Sequence, residues 1–277
     1  MRLLVLGATG MLGRDLMRRA GDDAVGLGSA DADVTDPQAV RAAVDEVRPD
    51  VVVNSAAMTE VDRAEDDEQR AMQVNGEGAG NVAAAAAGSG AAVLYVSTDY
   101  VFDGAKGEPY VESDETAPLS VYGRSKLAGE VATAQANERH FVVRSSWLFG
   151  AGGANFPETM LRLASEGRSL RVVADQVGCP TYTGHLAEGL LRLMATEAFG
   201  VHHMAAAGAC SRYELALETF ARTGVEASVE PAPTSEHPRP APRPPYSVLV
   251  SERDDAIRLP DWRKGLDAYL AERQVRT

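Results

Sequence analysis

Short apolar runs alternate with helical patterns through the first 150 residues, and this alternation constrains the fold more than any other feature. The runs are nearly continuous in apolar residues, which is typical of strands covered on both faces. Strands that alternate with helices of this length predict an α/β fold with a doubly wound, Rossmann-like parallel sheet. The predicted strands cover 2–8, 23–28, 50–57, 91–98 and 141–150. The predicted helices cover 11–20, a segment beginning at Pro37 after an Asp36 cap, about 68–88 and about 120–136.

The pattern changes after residue 150, where a glycine-rich junction begins. Helices are predicted at about 156–166 and 263–273, and an apolar run at 200–208 resembles a late strand that returns to the sheet. A proline-dense stretch at 231–247 must be largely extended. We therefore expect one domain at 1–150 and a smaller C-terminal lobe over most of 151–277, with about 186–224 returning to the first domain.

A glycine-rich turn, GATGMLG, joins the first predicted strand to the first predicted helix. It places Gly7, Gly10 and Gly13 in a GxxGxxG spacing. Glycines at such a junction allow a tight turn and let backbone N–H groups approach a pyrophosphate at the helix N-terminus, where the helix dipole favours negative charge. A glycine triplet alone is a weak signal, but its position between a strand and a helix strengthens it. The turn predicts that 1–150 is a dinucleotide-binding domain.

The end of the second predicted strand leaves the choice between NADPH and NADH open. Gly28 and Ser29 stand where an acidic residue would bind the ribose 2′-hydroxyl and repel a 2′-phosphate. No arginine stands there to select the phosphate either. Asp33 and Val34 follow closely and are candidates for contact with the adenine, although Asp33 is also typical of a turn.

Tyr122 and Lys126 stand four residues apart on a predicted helix, so their side chains share one face. Lysine is rare in this chain, since Lys106, Lys126 and Lys264 are the only lysines among its 27 Lys and Arg residues. A free tyrosine has a pKa near 10, and a nearby ammonium group would lower it towards the range useful for proton transfer. The pair therefore predicts a catalytic acid with its lysine partner, against the alternative of an exposed pair without chemistry.

Three further polar or aromatic residues lie near the ends of predicted strands, at the sheet edge where ligands bind in open α/β folds. Ser97 and Thr98 end the fourth strand, and alternation along the strand does not decide which hydroxyl would polarise a substrate oxygen. Trp147 lies towards the end of the fifth predicted strand and is either an aromatic that flanks a ligand or a core residue.

The composition excludes several classes of protein. The formal net charge of −13 argues against nucleic acid as a partner. No apolar run has membrane-spanning length, and the first apolar run ends in a glycine turn rather than a cleavage site. Cys179 and Cys210 predict neither a disulfide framework nor a metal site, and no other metal motif is present. We expect a cytoplasmic protein.

These residues resemble the extended short-chain dehydrogenase/reductase family and, within it, the dTDP-4-dehydrorhamnose reductases. STDYVFDG and YGRSKLAGE in tandem are specific to that branch, and the matching segments occur in the family's order over most of the chain. Ser55, Met58 and Cys179 depart from the family pattern, which bears on cofactor preference and on the sugar rather than on the reaction type. The other matching segments are GATGMLG, RPDVVVNSAAMTEVDRAE, RSSWLFG, NFPETMLRLA, DQVGCPT and RPPYSVL.

The resemblance implies reduction, by NADPH or NADH, of the C4 ketone of a dTDP-linked 4-keto-6-deoxyhexose, with the C-terminal lobe binding the sugar nucleotide. Thr98, Tyr122 and Lys126 would form the catalytic set, with Tyr122 as the proton donor. The residues expected at the cofactor are Gly7, Thr9, Gly10, Met11, Leu12, Gly13, Asp33, Val34, Ala56, Ala57, Met58, Thr59, Ser97, Tyr122 and Lys126. Those expected at the substrate are Thr98, Asp99, Tyr122, Trp147, Asn155 and Arg243.

Two alternatives stay open at this point. Another nucleotide-sugar 4-ketoreductase or an epimerase would carry nearly the same motifs. A non-catalytic NADP-binding regulatory subunit would share the scaffold, although such proteins commonly lose the tyrosine or the lysine, and both are present here. The expected partner is the dTDP-linked sugar, without nucleic acid or membrane, and a homodimer is left open.

Overall fold

A six-stranded parallel sheet forms the centre of this computed structural model, which describes residues 1–276. The strands are β1 (Leu3–Leu6), β2 (Ala24–Leu27), β3 (Val51–Asn54), β4 (Ala92–Thr98), β5 (His140–Ser145), β6 (Leu148–Phe149), β7 (Leu170–Val173), β8 (Val177–Gly178), β9 (Thr181–Tyr182), β10 (Gly200–His203), β11 (Cys210–Ser211) and β12 (Val229–Ala232). The central sheet has the order β10-β5-β4-β3-β1-β2, and β6–β9, β7–β12 and β8–β11 form separate pairs. The predicted α/β fold with a parallel sheet is confirmed.

Helices connect the strands, and their ends follow local sequence signals. They are α1 (Met11–Ala20), α2 (Pro37–Val47), α3 (Val61–Asp66), α4 (Glu68–Ala71), α5 (Gly78–Gly88), α6 (Val121–Ala136), α7 (Phe156–Ser165), α8 (Thr183–Met194), α9 (Arg212–Thr223) and α10 (Trp262–Arg276). As predicted, Asp36 caps α2 by accepting hydrogen bonds from the backbone of Gln38 and Ala39. No helix within residues 1–276 combines the length and apolar character needed to cross a bilayer.

Separate apolar clusters cover the two faces of the sheet. Leu3 and Val5 of β1 pack in one cluster with α1 and α8. Leu4 and Leu6 pack in the other with α2 and α5. Because successive strand residues point to opposite faces, a strand covered on both sides must be apolar throughout. This arrangement explains the continuous apolar runs of the sequence.

The helix predicted at 68–88 is interrupted by a π-helical stretch, Met72–Glu77. Within this stretch the carbonyl of Asn75 accepts a hydrogen bond of 2.8 Å from the Tyr95 hydroxyl. The Asn75 side chain bonds both backbone groups of Met58 and the Ser125 hydroxyl. The wider turn therefore coincides with a buried polar junction between the π-helical stretch, β4 and α6, which periodicity alone does not reveal.

The strand predicted at 141–150 also divides, because Trp147 has a φ of 48° and cannot continue an extended strand. β5 ends at Ser145, and β6 begins at Leu148 and pairs with β9 instead of the central sheet. The late strand predicted at 200–208 is shorter, Gly200–His203, and pairs with β5 as the sixth strand.

The C-terminal part has a core of its own around the fully buried Trp262, formed largely by α7, α9 and α10. The segment 186–224 divides between the two parts. α8 packs on α1 and β10 joins the sheet, whereas α9 packs against α7 and α10 in the C-terminal core. The division of the chain into a domain at 1–150 and a lobe at 151–277 stays a proposal.

Helix α6 lies so close to the π-helical stretch and to Tyr95 of β4 that Gly129 has no room for a side chain. A Cβ there would lie 2.1 Å from the Asn75 carbonyl oxygen and 2.3 Å from the Tyr95 hydroxyl. We expect Gly129→Ala to lower the free energy of unfolding by about 1–3 kcal/mol, the usual cost of overpacking a core, as measured by urea unfolding. Gly88→Ala is the matched control, because a Cβ at that helical position meets no atom within 4 Å. Equal losses in both variants would contradict the packing argument.

Candidate active site

Three adjoining cavities lie along the edge of the sheet where the parallel strands end. The glycine cavity, of about 350 Å³, is lined by the glycine turn. It shares Gly7 and Gly10 with the central cavity, of about 440 Å³. The outer cavity, of about 620 Å³, shares Tyr100 and Arg212 with the central cavity. Ligands of open α/β folds bind at this edge.

The glycine turn has the backbone geometry that a dinucleotide requires. Gly7 has a φ of 79°, and a Cβ there would lie 2.6 Å from the Ala56 nitrogen. A Cβ on Gly13 would lie 2.3 Å from the Gly7 carbonyl oxygen, so α1 packs directly on the turn. Gly10 caps α1 without a side-chain hydrogen bond, and the first helical turn has no acidic residue. The N-terminal N–H groups of α1 therefore suit a pyrophosphate.

The structure brings the residues expected at the cofactor to the first two cavities. Those in the glycine cavity are Gly7, Thr9, Gly10, Asp33, Val34, Ala56, Ala57 and Met58. Those in the central cavity are Gly7, Gly10, Met11, Leu12, Gly13, Ala57, Thr59, Ser97, Tyr122 and Lys126. Segments that are distant in the sequence thus line adjoining cavities, and their contacts with a cofactor stay predictions.

The glycine cavity combines Ser29, Asp33 and Arg70 on its wall. Asp33 does form a turn, because its Oδ1 accepts hydrogen bonds from the backbone N–H and the hydroxyl of Thr35 at 2.9 and 2.8 Å. These bonds hold the pKa of Asp33 below its usual value, and Arg70, at 3.6 Å, lowers it further. The glycine cavity therefore contains a hydroxyl and a cation. The sequence alone did not decide whether the cofactor carries a 2′-phosphate on its ribose.

Helix α6 carries Tyr122 and Lys126 into the central cavity. Ser120 caps the helix, since its Oγ accepts a hydrogen bond of 3.1 Å from the Gly123 backbone N–H. Gly123 in turn lies against the Tyr100 carbonyl, where a Cβ would approach to 2.2 Å. The four-residue spacing thus places the phenol and the ammonium group in one cavity, as predicted from the helical repeat.

The ammonium group of Lys126 is almost completely buried, with 2% of the residue exposed. Its Nζ donates a hydrogen bond of 2.6 Å to the Val96 carbonyl and lies 4.0 Å from the centre of the Tyr95 ring. Burial lowers the pKa of Lys126 to about 7, and the negative charge of Glu130 opposes this shift. Lys126 therefore changes its charge in the neutral pH range.

Burial raises the pKa of Tyr122 above that of a free phenol, and its interaction with Thr98 opposes the increase in part. The expectation that Lys126 would lower this pKa is not met, because the charges that act on Tyr122 are those of Asp99 and Tyr100, and both raise it. Desolvation is the largest effect. A phenol that stays protonated at neutral pH suits a proton donor, the role that the resemblance implied.

The two hydroxyls at the end of β4 have different partners. Ser97 Oγ donates a hydrogen bond of 2.5 Å to Glu130 Oε1, behind the cavity. Thr98 interacts with Tyr122. The structure therefore places Thr98 beside the phenol, a choice that strand alternation alone left open.

Asp99 is buried at the edge of the central cavity and accepts three hydroxyl hydrogen bonds. The donors are Thr98 at 3.1 Å, Ser146 at 3.0 Å and Ser247 at 2.5 Å. Burial raises the pKa of Asp99, and these bonds oppose the increase. Asp99 thus joins the end of β4, the segment after β5 and a C-terminal segment, and its contact with a sugar stays a prediction.

Trp147 lines the central cavity and is therefore at the ligand edge rather than in the core. Its left-handed φ of 48° is uncommon for a bulky residue and marks a constrained position. The indole packs on Gly178, where a Cβ would lie 2.5 Å from the ring. On the indole face, the guanidinium carbon of Arg212 lies 3.4 Å from the ring centre.

Asn155 and Arg243 lie outside the central cavity. Asn155 is the cap of α7: its Oδ1 accepts a hydrogen bond from the Glu158 backbone at 3.0 Å, and its Nδ2 donates to the Gly150 carbonyl at 2.9 Å. Its amide is engaged in the cap, and the expected contact of Asn155 with the substrate stays a prediction. Arg243 lines the outer cavity and donates a hydrogen bond of 2.5 Å to Asp62.

Sequence reasoning did not identify Tyr100 and Arg212, which form the boundary between the central and outer cavities. Tyr100 lies within STDYVFDG, so a signal was available. Arg212 carries no local signal. It follows β11, which pairs with β8, and so approaches Trp147 only through long-range packing.

A phenol, an ammonium group and a threonine beside a dinucleotide-binding turn place the protein among the extended short-chain dehydrogenases/reductases. The chain belongs to the family described as RmlD substrate binding domain, whose model matches residues 1–275. The family indicated by the sequence motifs is therefore confirmed.

Individual relatives match nearly the whole chain. The dTDP-4-dehydrorhamnose reductase of Mycolicibacterium smegmatis is 44% identical over 281 residues, which cover 98% of this chain and 85% of the relative. A probable dTDP-4,6-dihydroxy-2-methyloxan-3-one 4-ketoreductase of Streptomyces antibioticus is 42% identical over 275 residues, covering 96% and 93%. The crystal structure of a dTDP-4-dehydrorhamnose reductase from Bacillus anthracis in complex with NADP has a TM-score of 0.95 at 36% identity and covers 98% of this chain and 99% of that chain.

The lowered pKa of Lys126 predicts that NADPH binding takes up a proton at pH 8. Above pH 7 the amine is largely neutral, and cofactor phosphates and ribose hydroxyls favour its charged form. Calorimetry at pH 8 in two buffers of different ionisation enthalpy should give different binding enthalpies. The difference should vanish in Lys126→Met and persist in Lys264→Met, a change at an exposed lysine. Buffer-independent enthalpies in the unmodified protein would contradict the prediction.

Proposed function

We propose that the protein uses NADPH to reduce the C4 ketone of a dTDP-4-keto-6-deoxyhexose, converting dTDP-4-dehydrorhamnose to dTDP-L-rhamnose. The convergence of Tyr122, Thr98 and Lys126 in one cavity beside the glycine turn carries this proposal. The names of relatives at 42–44% identity support the substrate class, and the Bacillus anthracis complex supports the cofactor.

Each catalytic residue has a distinct task in this reaction. NADPH, when bound, supplies the hydride to C4. Tyr122 donates its proton to the C4 oxygen, and its raised pKa keeps that proton in place until negative charge develops. Thr98 turns its hydroxyl from Asp99 towards the same oxygen and stabilises the charge. Lys126 binds the cofactor ribose. Acid catalysis of the kind that Tyr122 performs contributes about 10²–10⁴-fold.

The residues that line the three cavities suggest the remaining contacts with the cofactor and the substrate. We propose that the glycine and central cavities hold the cofactor, through the residues named above. Trp147 and Asp99 flank the sugar, and Arg243 meets the nucleotide part of the substrate in the outer cavity. The C-terminal lobe at 151–277 supplies much of the substrate wall. A homodimer is a further proposal.

The chemistry of the glycine cavity favours NADPH over NADH. Ser29 and Arg70 share its wall, and Ser29 stands at the position where an acidic residue would repel a 2′-phosphate. We propose that Arg70, now beside Asp33, pairs with the 2′-phosphate.

A second candidate is supported by the Streptomyces antibioticus relative, which is named a 4-ketoreductase of a different deoxysugar. The catalytic residues would serve either substrate. Incubation with a panel of dTDP-4-keto-6-deoxy sugars, followed by NMR of the products, identifies the sugar and the facial outcome. NADPH consumption separates both candidates from an epimerase and from a non-catalytic subunit.

We expect Tyr122→Phe to lose about 10²–10⁴-fold in kcat, because it removes the proton donor, while the dissociation constant for NADPH stays nearly unchanged. NADPH oxidation with dTDP-4-dehydrorhamnose measures turnover, and fluorescence titration measures binding. Tyr213→Phe, which removes a hydroxyl outside the three cavities, should keep full activity. Full activity in Tyr122→Phe would overturn the assignment.

We expect Arg70→Gln to weaken NADPH binding about tenfold or more, the usual consequence of losing one charge-assisted hydrogen bond of about 1.5–3 kcal/mol. NADH, which lacks the 2′-phosphate, should bind as before. Arg124→Gln is the control, because Arg124 is an exposed partner of Glu68 outside the cavity. Equal weakening of both cofactors by Arg70→Gln would show that Arg70 has no role in the choice.

A further inference from the structure

Arg212 differs from the other arginines of the outer cavity in its partners. Arg171 pairs with Glu236, and Arg239 and Arg243 both pair with Asp62. Arg212 forms no ion pair with a carboxylate in the part of the chain that the structure describes. Its charge is therefore available to an anionic ligand, whereas each of the other three guanidinium groups already contacts a carboxylate, with Asp62 shared between Arg239 and Arg243.

Aromatic rings hold the Arg212 guanidinium group in place. Its central carbon lies 3.4 Å from the centre of the Trp147 ring and 5.3 Å from that of Phe156. Stacking on ring faces suits a planar guanidinium group and leaves its edge for hydrogen bonds. Burial lowers the pKa of Arg212, and the neighbouring Tyr100 and Asp99 oppose this shift. A bound anion would further stabilise the positive charge of the buried Arg212 guanidinium group.

The stack of Trp147, Arg212 and Phe156 crosses the boundary between the central and outer cavities, in which the substrate is proposed to lie. Trp147 lines the central cavity, Phe156 lines the outer cavity, and Arg212 lines both. The outer cavity has an apolar side that includes Met160 and Val172, which suits a nucleoside. In a sugar nucleotide the diphosphate joins the sugar to the nucleoside, so it must pass this boundary when the sugar lies beside Tyr122.

We infer that Arg212 binds the sugar-proximal β-phosphate of the substrate and so determines the preference for a nucleoside diphosphate over a monophosphate. This inference rests on the proposed function for the identity of the nucleotide. Tyr100 interacts with both Arg212 and Arg243. The ion pair between Arg243 and Asp62 leaves Arg212 as the arginine that recognises the phosphate nearest the sugar.

The test compares the binding of dTDP and of thymidine monophosphate by calorimetry in the presence of NADPH. We expect the unmodified protein to prefer dTDP. Arg212→Met should weaken dTDP binding about 10–100-fold, the range for a lost charge-assisted contact, and change monophosphate binding less than about threefold. Unchanged dTDP affinity, or equal losses for both nucleotides, would overturn the inference, because the second result indicates only a disturbed cavity wall.

Two further variants make the test specific. Arg212→Lys keeps the charge but loses the planar stack, so an intermediate preference is expected. It decides the question if Arg212→Met does not fold, since an unchanged preference would then overturn the inference. Arg243→Met should retain most of the preference for dTDP, and loss of that preference in Arg243→Met alone would assign the β-phosphate to Arg243 instead.

Nucleotide binding requires no turnover, so this experiment is separate from the proposed reaction. A protein that binds dTDP through Arg212 but reduces no 4-keto sugar would refute the proposed function and leave the inference intact. A protein that reduces the sugar but shows no effect of Arg212→Met on dTDP binding would refute the inference alone.

Discussion

The close packing of helix α6 on the π-helical stretch and on the segment after β4 is the constraint on which the proposed catalytic geometry depends. Gly123 and Gly129 lie against backbone carbonyls so closely that a Cβ would approach them to 2.2 and 2.1 Å. Tyr122 and Lys126 are carried on the same helix, and Lys126 reaches the Val96 carbonyl from it. A larger residue at either glycine would move the helix outward and carry both groups away from the sheet. The arrangement therefore rests on backbone contact more than on any single polar interaction.

The same packing removes water and so sets the ionisation of the site. Behind Lys126, Glu130 and Arg144 form a buried ion pair with an N–O distance of 2.7 Å, and each side chain is 6% exposed. Ser97 supplies a further hydrogen bond to Glu130. A pair that is satisfied in this way can stay charged in the interior. Its carboxylate opposes the loss of the Lys126 charge, so a group outside the cavity contributes to the chemistry within it.

The sequence was most informative where a site depends on local spacing. The glycine turn and the Tyr122–Lys126 repeat each lie within a few residues, so a strand–turn–helix pattern was enough to place them together. The sequence was least informative where packing between distant segments determines the conformation or position of a residue. The π-helical stretch at Met72–Glu77, the left-handed Trp147 and the position of Arg212 all depend on contacts between distant segments. The predicted direction of the Tyr122 pKa shift was also wrong, because the spacing reveals the neighbouring lysine but not the extent to which the phenol is desolvated.

The proposed catalytic residues and the proposed substrate wall come from different parts of the chain and meet at Asp99. Its carboxylate accepts hydrogen bonds from Thr98, from Ser146 beside the strained Trp147, and from Ser247 in the C-terminal segment. A displacement of the substrate wall must therefore disturb the carboxylate that holds the Thr98 hydroxyl. Differences in sugar preference among relatives of this fold are then expected to involve residues around Trp147 and residue 247 as well as direct contacts, because both segments share one buried acid with the catalytic threonine.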